Sequence, residues 1–486
     1  VDANMLQLSQ GSHPAQQRLI FEELVAHQIS LLTRRAYIQQ IAAPSFSTSK
    51  TFAKQLLASL PFEMTGAQKR VSNEIAKDLK QNKPMLRLVQ GDVGAGKTLV
   101  AGVAACHALE EGWQVALMAP TEILAEQHYL NFKKWFEPLG LTVSWLSGKQ
   151  KGKARTAAEQ SIQDGTANVV VGTHALFQDN VKFAKLGLVV IDEQHRFGVD
   201  QRLALRNKGV NNTTPHQLVM TATPIPRTLA MSAYGDLDTS VIDELPSGRT
   251  PIQTVTIPLD RREEVLQRVA KNCAEGKQAY WVCTLVEQSE TLDAQAAEAT
   301  YVEIKDRFPE LNIGLVHGRM KADEKQSVMQ QFKDNEIQLL IATTVIEVGV
   351  DVPNASIMVI ENAERLGLSQ LHQWRGRVGR GATASFCALL YKYPLSQNGQ
   401  ERLRIMRETN DGFIIAEKDL EIRGAGELLG TKQTGDMGFR VAKLERDDHL
   451  LNQAHHVAQQ VLKDYPENAE ALLKRWLPDA PRYAYV

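Results

Sequence analysis

The residues best suited to chemistry form a glycine-rich turn at 91–98, which reads GDVGAGKT. The turn matches in full the pattern GxxxxGK[ST] of loops that bind nucleoside triphosphates. Glycines let backbone N–H groups turn inward around phosphates, and the helix expected next adds the partial positive charge of its N-terminus. We expect Lys97 to reach the β- and γ-phosphates and Thr98 to bind Mg²⁺. The loop residues assigned to nucleotide binding are Gly91, Asp92, Gly94, Ala95, Gly96, Lys97 and Thr98.

Two acidic residues complete the predicted hydrolytic site. The run LGLVVIDEQH (186–195) places Asp192 and Glu193 at the carboxyl end of an apolar strand, which is where ligand sites form in parallel α/β sheets. We expect Asp192 to hold the Mg²⁺ shell and Glu193 to orient and deprotonate the attacking water. Such a pair in isolation more often caps a helix, but a glycine-rich loop in the same sheet favours the catalytic interpretation.

Three arginines lie among glycines in QWRGRVGRG (373–381). Phosphoryl transfer needs positive charge near the γ-phosphate as it leaves, and an arginine supplied there contributes about 10³–10⁵ in rate. These arginines lie far downstream of the glycine-rich loop, in a second α/β series. They would therefore have to reach the loop across a cleft between two domains. Domain closure would then be a condition for hydrolysis. A solvated basic loop is the alternative interpretation of this segment in isolation.

The elements that position these residues are predicted from apolar, β-branched runs that alternate with helical stretches. Such continuous apolar strands indicate parallel sheets covered by helices on both faces. The turn-rich segment ELPSGRTPI (244–252) separates two such series. The predicted strands are MLRLVQ (85–90), QVALMAP (114–120), TVSWL (142–146), NVVVGT (168–173), LGLVVID (186–192), HQLVMTAT (216–223), QAYWVCTL (278–285), NIGLVHG (312–318), IQLLIATT (337–344), IMVIENA (357–363) and SFCALLY (385–391). The predicted units are a linker helix over 1–60, domain 1 over 61–248, domain 2 over 249–395 and a helical C-terminal segment over 396–486.

The composition is that of a soluble globular chain: 486 residues, of which 43% are hydrophobic and 23% charged. From this length we expect at least two domains. We expect no membrane span, since no apolar run is long enough, and the first residues do not form a secretory signal. The net charge of −1 means that a polyanion would have to bind in a local groove. Four scattered cysteines predict a reducing compartment and no zinc site. Because the chain opens with Val1, we expect a fragment or a processed product.

The order of these segments resembles that of the superfamily-two helicases, which have two tandem RecA-like domains. The resemblance implies that the nucleotide is ATP and that Phe62 and Gln68, in LPFEMTGAQ, read the adenine. It places Gln373 in the nucleotide site and makes Arg377 and Arg380 the arginine fingers. Further matching segments are APTEILAEQH (119–128), VGTH (171–174), TAT (221–223), VHGRM (316–320) and ATTVIEVGVD (342–351). The residues that it assigns to DNA contact or coupling there are Thr121, Thr173, His174, Thr221, His317 and Thr343.

Longer strings are similar to the RecG family of branched-DNA helicases. They are RLVQGDVGAGKT, MAPTEILAEQH, DEQHRFGVDQRLAL, TATPIPRTLAM and TTVIEVGVDVPNAS. The tail DLEIRGAGELLGTKQTG resembles that family's translocation segment, a helical hairpin and a loop, in which Arg402 and Gln433 match coupling positions. The resemblance implies an ATP-dependent translocase that binds duplex DNA and remodels stalled forks and Holliday junctions. It also implies a bacterial cytoplasmic monomer with single-strand-binding protein as a partner.

The chain departs from the RecG pattern at two points. The family's N-terminal wedge domain does not fit within residues 1–60, which puts junction recognition by this chain in doubt. Ala95 and Ala425 stand where Ser and Pro are expected, and both replacements are small.

Three other functions are weighed against this one. A transcription-repair coupling factor shares the motor and tail, but it needs additional polymerase-binding domains and usually has Glu where Gln194 stands. A single-strand or RNA helicase does not need the duplex-gripping tail. A nucleotide-binding switch without motor work does not need the complete hydrolytic set.

Overall fold

The computed structural model describes residues 7, 11–192, 208–209, 213–222, 224–225, 237–246, 251–284, 290–343, 352–381, 383–423 and 439–478. Within these ranges the chain forms two parallel β-sheets flanked by helices, and a helical segment follows the second sheet. The predicted α/β class with two tandem parallel sheets is therefore confirmed. Among the residues named from the sequence, Val1, Glu193, Gln194, Ala425 and Gln433 lie outside the described residues.

The first sheet is built from the N-terminal half of the chain. Its elements and those before it are α1 (Pro14–Gln39), α2 (Phe52–Ala58), α3 (Gly66–Leu79), β1 (Leu86–Gly91), α4 (Lys97–Glu110), β2 (Gln114–Met118), α5 (Glu122–Phe136), β3 (Val143–Leu146), α6 (Gly152–Gln163), β4 (Val169–Gly172), β5 (Leu186–Asp192), β6 (His216–Thr221) and β7 (Asp238–Ile242). The strand order is β3-β4-β2-β5-β6-β1-β7, and every neighbouring pair is parallel.

The second sheet and the C-terminal helices follow. Their elements are β8 (Gln253–Pro258), α7 (Arg262–Ala274), β9 (Gln278–Val282), α8 (Glu290–Arg307), β10 (Ile313–Val316), α9 (Ala322–Lys333), β11 (Leu339–Ala342), β12 (Ala355–Ile360), α10 (Leu368–Arg375), β13 (Phe386–Tyr391), α11 (Gln397–Glu408), α12 (Gly412–Arg423), α13 (Leu444–Asp447), α14 (Leu451–Asp464) and α15 (Pro466–Trp476). The strand order is β10-β11-β9-β12-β13-β8, again parallel throughout. Short 3₁₀ turns lie at Glu137–Leu139, His174–Phe177, Leu259–Arg261, Ala363–Arg365 and Asp448–Leu450.

Apolar side chains cover both faces of each sheet. Strands β2, β4, β5 and β6 are buried along their whole length, as expected of central parallel strands between helices. One apolar cluster lies on each face of each sheet. Burial contributes about 25 cal/mol per Å² of apolar surface, so these clusters fix the strand ends that carry the site.

The two strands not anticipated from the sequence, β7 and β8, are edge strands. Each pairs on one side only, with β1 and with β13 respectively. Their sequences, DTSVI and QTVTIP, are partly exposed. An edge strand does not need a continuous apolar run, so the pattern that identifies the central strands is missing from both.

The N-terminal helix α1 packs against the C-terminal helices α14 and α15. Pro14 begins α1, and the His13 ring accepts a hydrogen bond from the Ala15 N–H at 3.2 Å, which satisfies one N–H group at the helix start. Ile20 and Leu24 of α1 are fully buried in a cluster that includes Ala454 of α14. The two ends of the described chain therefore share one core.

In the described part of the chain, no helix is long and apolar enough to cross a membrane.

Candidate nucleotide-hydrolysis site

The glycine-rich loop joins the end of β1 to the start of α4. Gly94 and Gly96 have φ angles of 79° and 84°, in the left-handed region that glycine adopts without strain. A Cβ atom on Gly91 would lie 3.2 Å from the Cβ of Ala95, which is fully buried. The loop is therefore compact, and its backbone lies against the N-terminus of α4.

Lys97 is folded back over this loop. Its ammonium group donates hydrogen bonds to the carbonyl oxygens of Gly91 at 2.6 Å and Asp92 at 2.9 Å. The side chain is largely buried. Phosphate oxygens could replace these carbonyls as the acceptors, since the lysine already lies along the loop. Thr98, the predicted Mg²⁺ ligand, follows in the first turn of α4.

Gln68 ties helix α3 to the loop. Its Oε1 accepts the Thr65 N–H at 3.0 Å and its Nε2 donates to the Ala95 carbonyl at 2.9 Å. A Cβ on Gly96 would lie 2.2 Å from that Nε2. Gln68, predicted to read adenine, thus also holds the phosphate loop in place. Phe62, its predicted partner, is 52% exposed, which leaves its ring accessible to a base.

Asp192 ends β5 beside a histidine that sequence reasoning missed. Its Oδ2 lies 2.6 Å from Nε2 of His128 on α5, and both side chains are largely buried. His128 Nδ1 is buried and has no hydrogen-bond partner among the described residues. The histidine therefore orients the carboxylate predicted to hold Mg²⁺. No spacing rule could have paired these residues, because 64 positions separate them.

The arginine segment of the second sheet lies against the phosphate loop. A Cβ on Gly376, just after α10, would lie 3.0 Å from the Cβ of Val93. Arg377 follows directly in the same turn, Arg380 lies three residues further along, and both are half-buried. Gln373, also half-buried, belongs to α10 itself. The structure thus places the turn that precedes the predicted arginine fingers against the nucleotide loop.

Arg375, the remaining arginine of that segment, is buried and bonded to backbone carbonyl groups. It is 1% exposed, and burial lowers the pKa of its guanidinium from the ordinary value. It donates hydrogen bonds to the carbonyls of Met406 at 2.7 Å and Thr409 at 2.9 Å. These contacts join α10 to the end of α11.

A second contact across the cleft joins Asp92 to His372 of α10. The His372 Nε2 lies 2.6 Å from the Asp92 Oδ1, which also accepts the Val93 N–H at 2.8 Å. Burial acts to raise the pKa of Asp92. The hydrogen bond from His372, the Val93 N–H and the charge of Lys97 outweigh burial and bring that pKa below its ordinary value. Asp92 is therefore ionised at neutral pH.

The residues assigned to DNA contact follow the carboxyl ends of parallel strands in both sheets. They are Thr121 after β2, Thr173 and His174 after β4, Thr221 at the end of β6, His317 after β10 and Thr343 after β11. Thr121 accepts the Leu124 N–H at 3.4 Å and so begins α5. His174 is exposed, and His317 lies 3.2 Å from Glu298. Arg402 lies on α11, half-buried.

The two halves of the chain also meet at α5 and α9. Lys149 lies 3.0 Å from Glu122 of the first sheet's α5 and 3.4 Å from Asp323 of the second sheet's α9. Gln326 of α9 donates to Glu126 of α5 at 2.9 Å. These contacts are partly exposed and individually weak, so the domains can part here at small cost.

Comparison with known proteins identifies helicase sequences in three consecutive parts of the chain. The DEAD/DEAH box helicase family matches residues 65–232, and the helicase conserved C-terminal domain matches 261–382. Domain 3, C-terminal, of ATP-dependent DNA helicase RecG matches 409–475.

Individual relatives carry the same name. ATP-dependent DNA helicase RecG of Escherichia coli strain K12 is 62% identical over 479 residues, which are 98% of this chain and 69% of that protein. RecG of Haemophilus influenzae is 59% identical and covers 99% of this chain and 70% of that protein. A solved structure of RecG bound to a three-way DNA junction has 42% identity and a TM-score of 0.74, covering 90% of this chain and 57% of that one. The helicase MrfA bound to DNA, at 16% identity with a TM-score of 0.58, shares the fold. With its tandem RecA-like domains and RecG-specific C-terminal segment, this chain belongs to the RecG family of ATP-dependent DNA helicases.

Proposed function

We propose that this chain is the ATP-driven motor of an enzyme that translocates on duplex DNA and remodels branched DNA, including stalled replication forks and Holliday junctions. The observation that carries the proposal is the packing of the Gly376 turn on Val93 of the phosphate loop. This packing supports an approach of the segment with Arg377 and Arg380 to a nucleotide bound in the loop. The relative solved with a three-way DNA junction supports a branched substrate.

In the proposed cycle, ATP and Mg²⁺ bind between the two domains. Thr98 and Asp192 would supply oxygen ligands, the donor type that Mg²⁺ prefers. Glu193 activates water, while Arg377 and Arg380 close on the γ-phosphate. Phosphate release reopens the cleft, and alternating closure moves the grip of the two domains along the sugar-phosphate backbone.

The proposed DNA path runs along the carboxyl edges of both sheets and on to the C-terminal segment, where Arg402 and Gln433 couple the motor to the duplex. Backbone contacts carry no sequence information, so binding should show no sequence preference. It should weaken by about 10³-fold or more between 50 and 200 mM salt. A binding constant indifferent to salt would contradict this path.

Lys97→Ala tests the nucleotide site. We expect DNA-stimulated ATP turnover to fall by about 10²-fold or more, because the charge that faces the phosphates is lost. Lys77→Ala, which removes an exposed lysine from α3, is the matched control and should retain activity. Turnover that survives Lys97→Ala would mean that the phosphate loop is wrongly assigned.

The proposal extends to organisation and partners. It divides the chain into a linker helix (1–60), two motor domains (61–248 and 249–395) and a translocation segment (396–486). The working unit is a cytoplasmic monomer in a bacterium, with single-strand-binding protein as a protein partner. The match to RecG domain 3 over 409–475 supports this function over that of a transcription-repair coupling factor.

A further inference from the structure

A chain of hydrogen bonds runs from the phosphate loop through α10 to the end of α11. Asp92 Oδ1 lies 2.6 Å from His372 Nε2, and His372 Nδ1 lies 3.0 Å from the Arg375 Nη2. Arg375 Nη1 then donates to the carbonyls of Met406 and Thr409. Three parts of the molecule, separated by as many as 280 positions in sequence, are thereby joined through side chains.

Arg375 determines which nitrogen of His372 carries the proton. A guanidinium group can only donate, so the Nδ1 that faces it must accept. The ring is then neutral, with its proton on Nε2 and directed at the Asp92 carboxylate. The side chain of His372 is 6% exposed, so water competes little for either bond. His372 therefore acts as a directional bridge, accepting on one side and donating on the other.

Asp92 is the residue at which this bridge meets the nucleotide site. Its main-chain oxygen accepts a hydrogen bond from the Lys97 ammonium at 2.9 Å. When Lys97 turns to a phosphate group, it gives up this acceptor, and the peptide that carries Asp92 loses a constraint. Filling the loop therefore acts directly on the residue that His372 holds.

The hairpin formed by α11 and α12 meets the bridge a second time, at Gly412. A Cβ on Gly412 would lie 2.7 Å from His372 Nε2 and 3.0 Å from Asp92 Oδ2. The backbone at the start of α12 thus closes over the bond between the two domains. Any shift of the hairpin must change the space available to that bond.

We propose that His372 is a positioning residue that couples occupancy of the phosphate loop to the position of the α11–α12 hairpin. Nucleotide in the loop alters the contact of Asp92 with His372, and Arg375 transmits the change to Met406 and Thr409. The inference rests on the proposed DNA-translocating function. Since coupling between two sites is reciprocal, DNA held by the C-terminal segment must change the affinity for nucleotide through the same bridge.

The test measures the affinity of the full chain for a fluorescent, non-hydrolysable ATP analogue with and without forked DNA. Coupling energies of this kind correspond to ratios of about 5–150 between the two affinities. We expect a ratio in this range for the wild-type chain and a ratio near one for His372→Ala. DNA-free affinity should change by a smaller factor than this ratio, since the contact with the loop that the described residues show for His372 is the one to Asp92. His372→Gln keeps a hydrogen-bond donor and an acceptor, so it should restore much of the ratio of the two affinities. If His372→Ala acted only through lost packing, no such recovery would be expected.

Gly412→Ala approaches the same bond from the hairpin and should reduce the ratio in the same way. Glu417→Gln, at an exposed position of α12, is its control and should keep the wild-type ratio. A wild-type chain that is stimulated by forked DNA yet shows equal affinities would overturn the bridge and leave the proposed function standing. An unchanged ratio in His372→Ala would also overturn it. If no DNA stimulates ATP turnover by the wild-type chain, the proposed function itself is wrong.

Discussion

Gly96 carries two separate constraints that favour glycine over every other residue type. Its φ of 84° lies in the left-handed region, and a Cβ there would lie 2.2 Å from the amide nitrogen of Gln68. The first constraint acts on the backbone alone. The second acts on the contact that holds the phosphate loop to α3.

Gly96→Ala and Gly112→Ala separate these two constraints. Gly112 has a φ of 73°, and a Cβ added to it would meet no atom of the described residues within 4 Å. In both variants the free energy of unfolding should fall by about 1 kcal/mol, because a residue with a Cβ is strained in the left-handed region. Only Gly96→Ala should also lose nucleotide affinity, by about tenfold or more, because Gln68 must leave the Ala95 carbonyl. Titration of an ATP analogue measures this; equal affinities in the two variants would contradict it.

His216 makes stability depend on pH. It is fully buried, and its Nδ1 accepts the Met85 N–H at 2.9 Å while its Nε2 lies 2.6 Å from the Pro44 carbonyl. Burial lowers its pKa to about 4, although the Pro44 carbonyl opposes the shift. The unfolded chain therefore binds a proton below about pH 6.5 that the folded chain does not bind until about pH 4.

The free energy of unfolding should consequently fall as pH falls through this window, by up to about 1.4 kcal/mol per pH unit for this one group. His216→Asn offers an acceptor to the Met85 N–H and does not titrate, so it should reduce the slope by that amount. His449→Gln changes an exposed histidine and should leave the slope alone. Chemical unfolding at several pH values measures the slopes, and identical slopes for wild type and His216→Asn would refute the assignment.

The residues that the sequence identified and those that it missed differ in the range of their contacts. Lys97 and Asp192 stand in local patterns that specify a loop and a strand end, so their positions followed from the sequence alone. His128 and His372 stand in no such pattern, and their partners lie 64 and 280 positions away. Only the folded arrangement of two sheets brings those pairs together.

Among the elements, α1 has a larger role than its sequence suggested. Glu23, a largely buried residue of α1, accepts hydrogen bonds from three successive backbone N–H groups. They are those of Arg440 at 2.5 Å, Val441 at 2.9 Å and Ala442 at 2.8 Å. A helix expected to serve as a linker therefore fixes the chain directly after residues 424–438.

Glu23→Ala should loosen this junction, because three N–H groups lose their acceptor. The free energy of opening should fall by about 2–4 kcal/mol in α1 and residues 439–478. Hydrogen exchange resolves this by segment, and strands β1 and β5 should stay protected. Glu23→Gln keeps one acceptor oxygen, so its free energy of opening should fall by less. Glu417→Ala on the surface should change the free energy of opening little. Unaltered exchange in α1 would argue against the anchor.

Central strands could be predicted from the sequence, whereas two of the edge strands could not. Central strands such as β2 and β5 are buried throughout, so a continuous apolar run specifies them. The edge strands β7 and β8 are held by pairing with β1 and β13. Pairing of this kind depends on the neighbouring strand and leaves no periodic mark in the sequence.

At the scale of the whole molecule, the segment that contains Gln433 is flanked by two fixed points. On one side, Asp419 of α12 accepts the N–H groups of Leu368 and Ser369 at 3.2 Å and so holds the start of α10. On the other side, Glu23 holds residues 440–442. The first fixed point leads to α10 and the predicted arginine fingers after it, and the second leads to α1.

Gln433→Ala should therefore uncouple ATP hydrolysis from DNA unwinding. We expect ATP affinity to stay unchanged and fork unwinding per ATP hydrolysed to fall by several-fold, because the resemblance assigns Gln433 to DNA coupling and not to nucleotide binding. Parallel assays of ATP turnover and unwinding give this ratio. A drop in ATP affinity instead would show that the role assigned to the C-terminal segment is mistaken.

If duplex DNA makes the two domains close on ATP, duplex DNA must accelerate ATP hydrolysis. ATP turnover of the full chain is measured at low salt with no nucleic acid, single-stranded DNA, duplex DNA, forked DNA and RNA, beside Lys97→Ala. We expect strong stimulation by duplex or forked DNA and none in the variant. Turnover that no nucleic acid changes, or that RNA stimulates best, would contradict it.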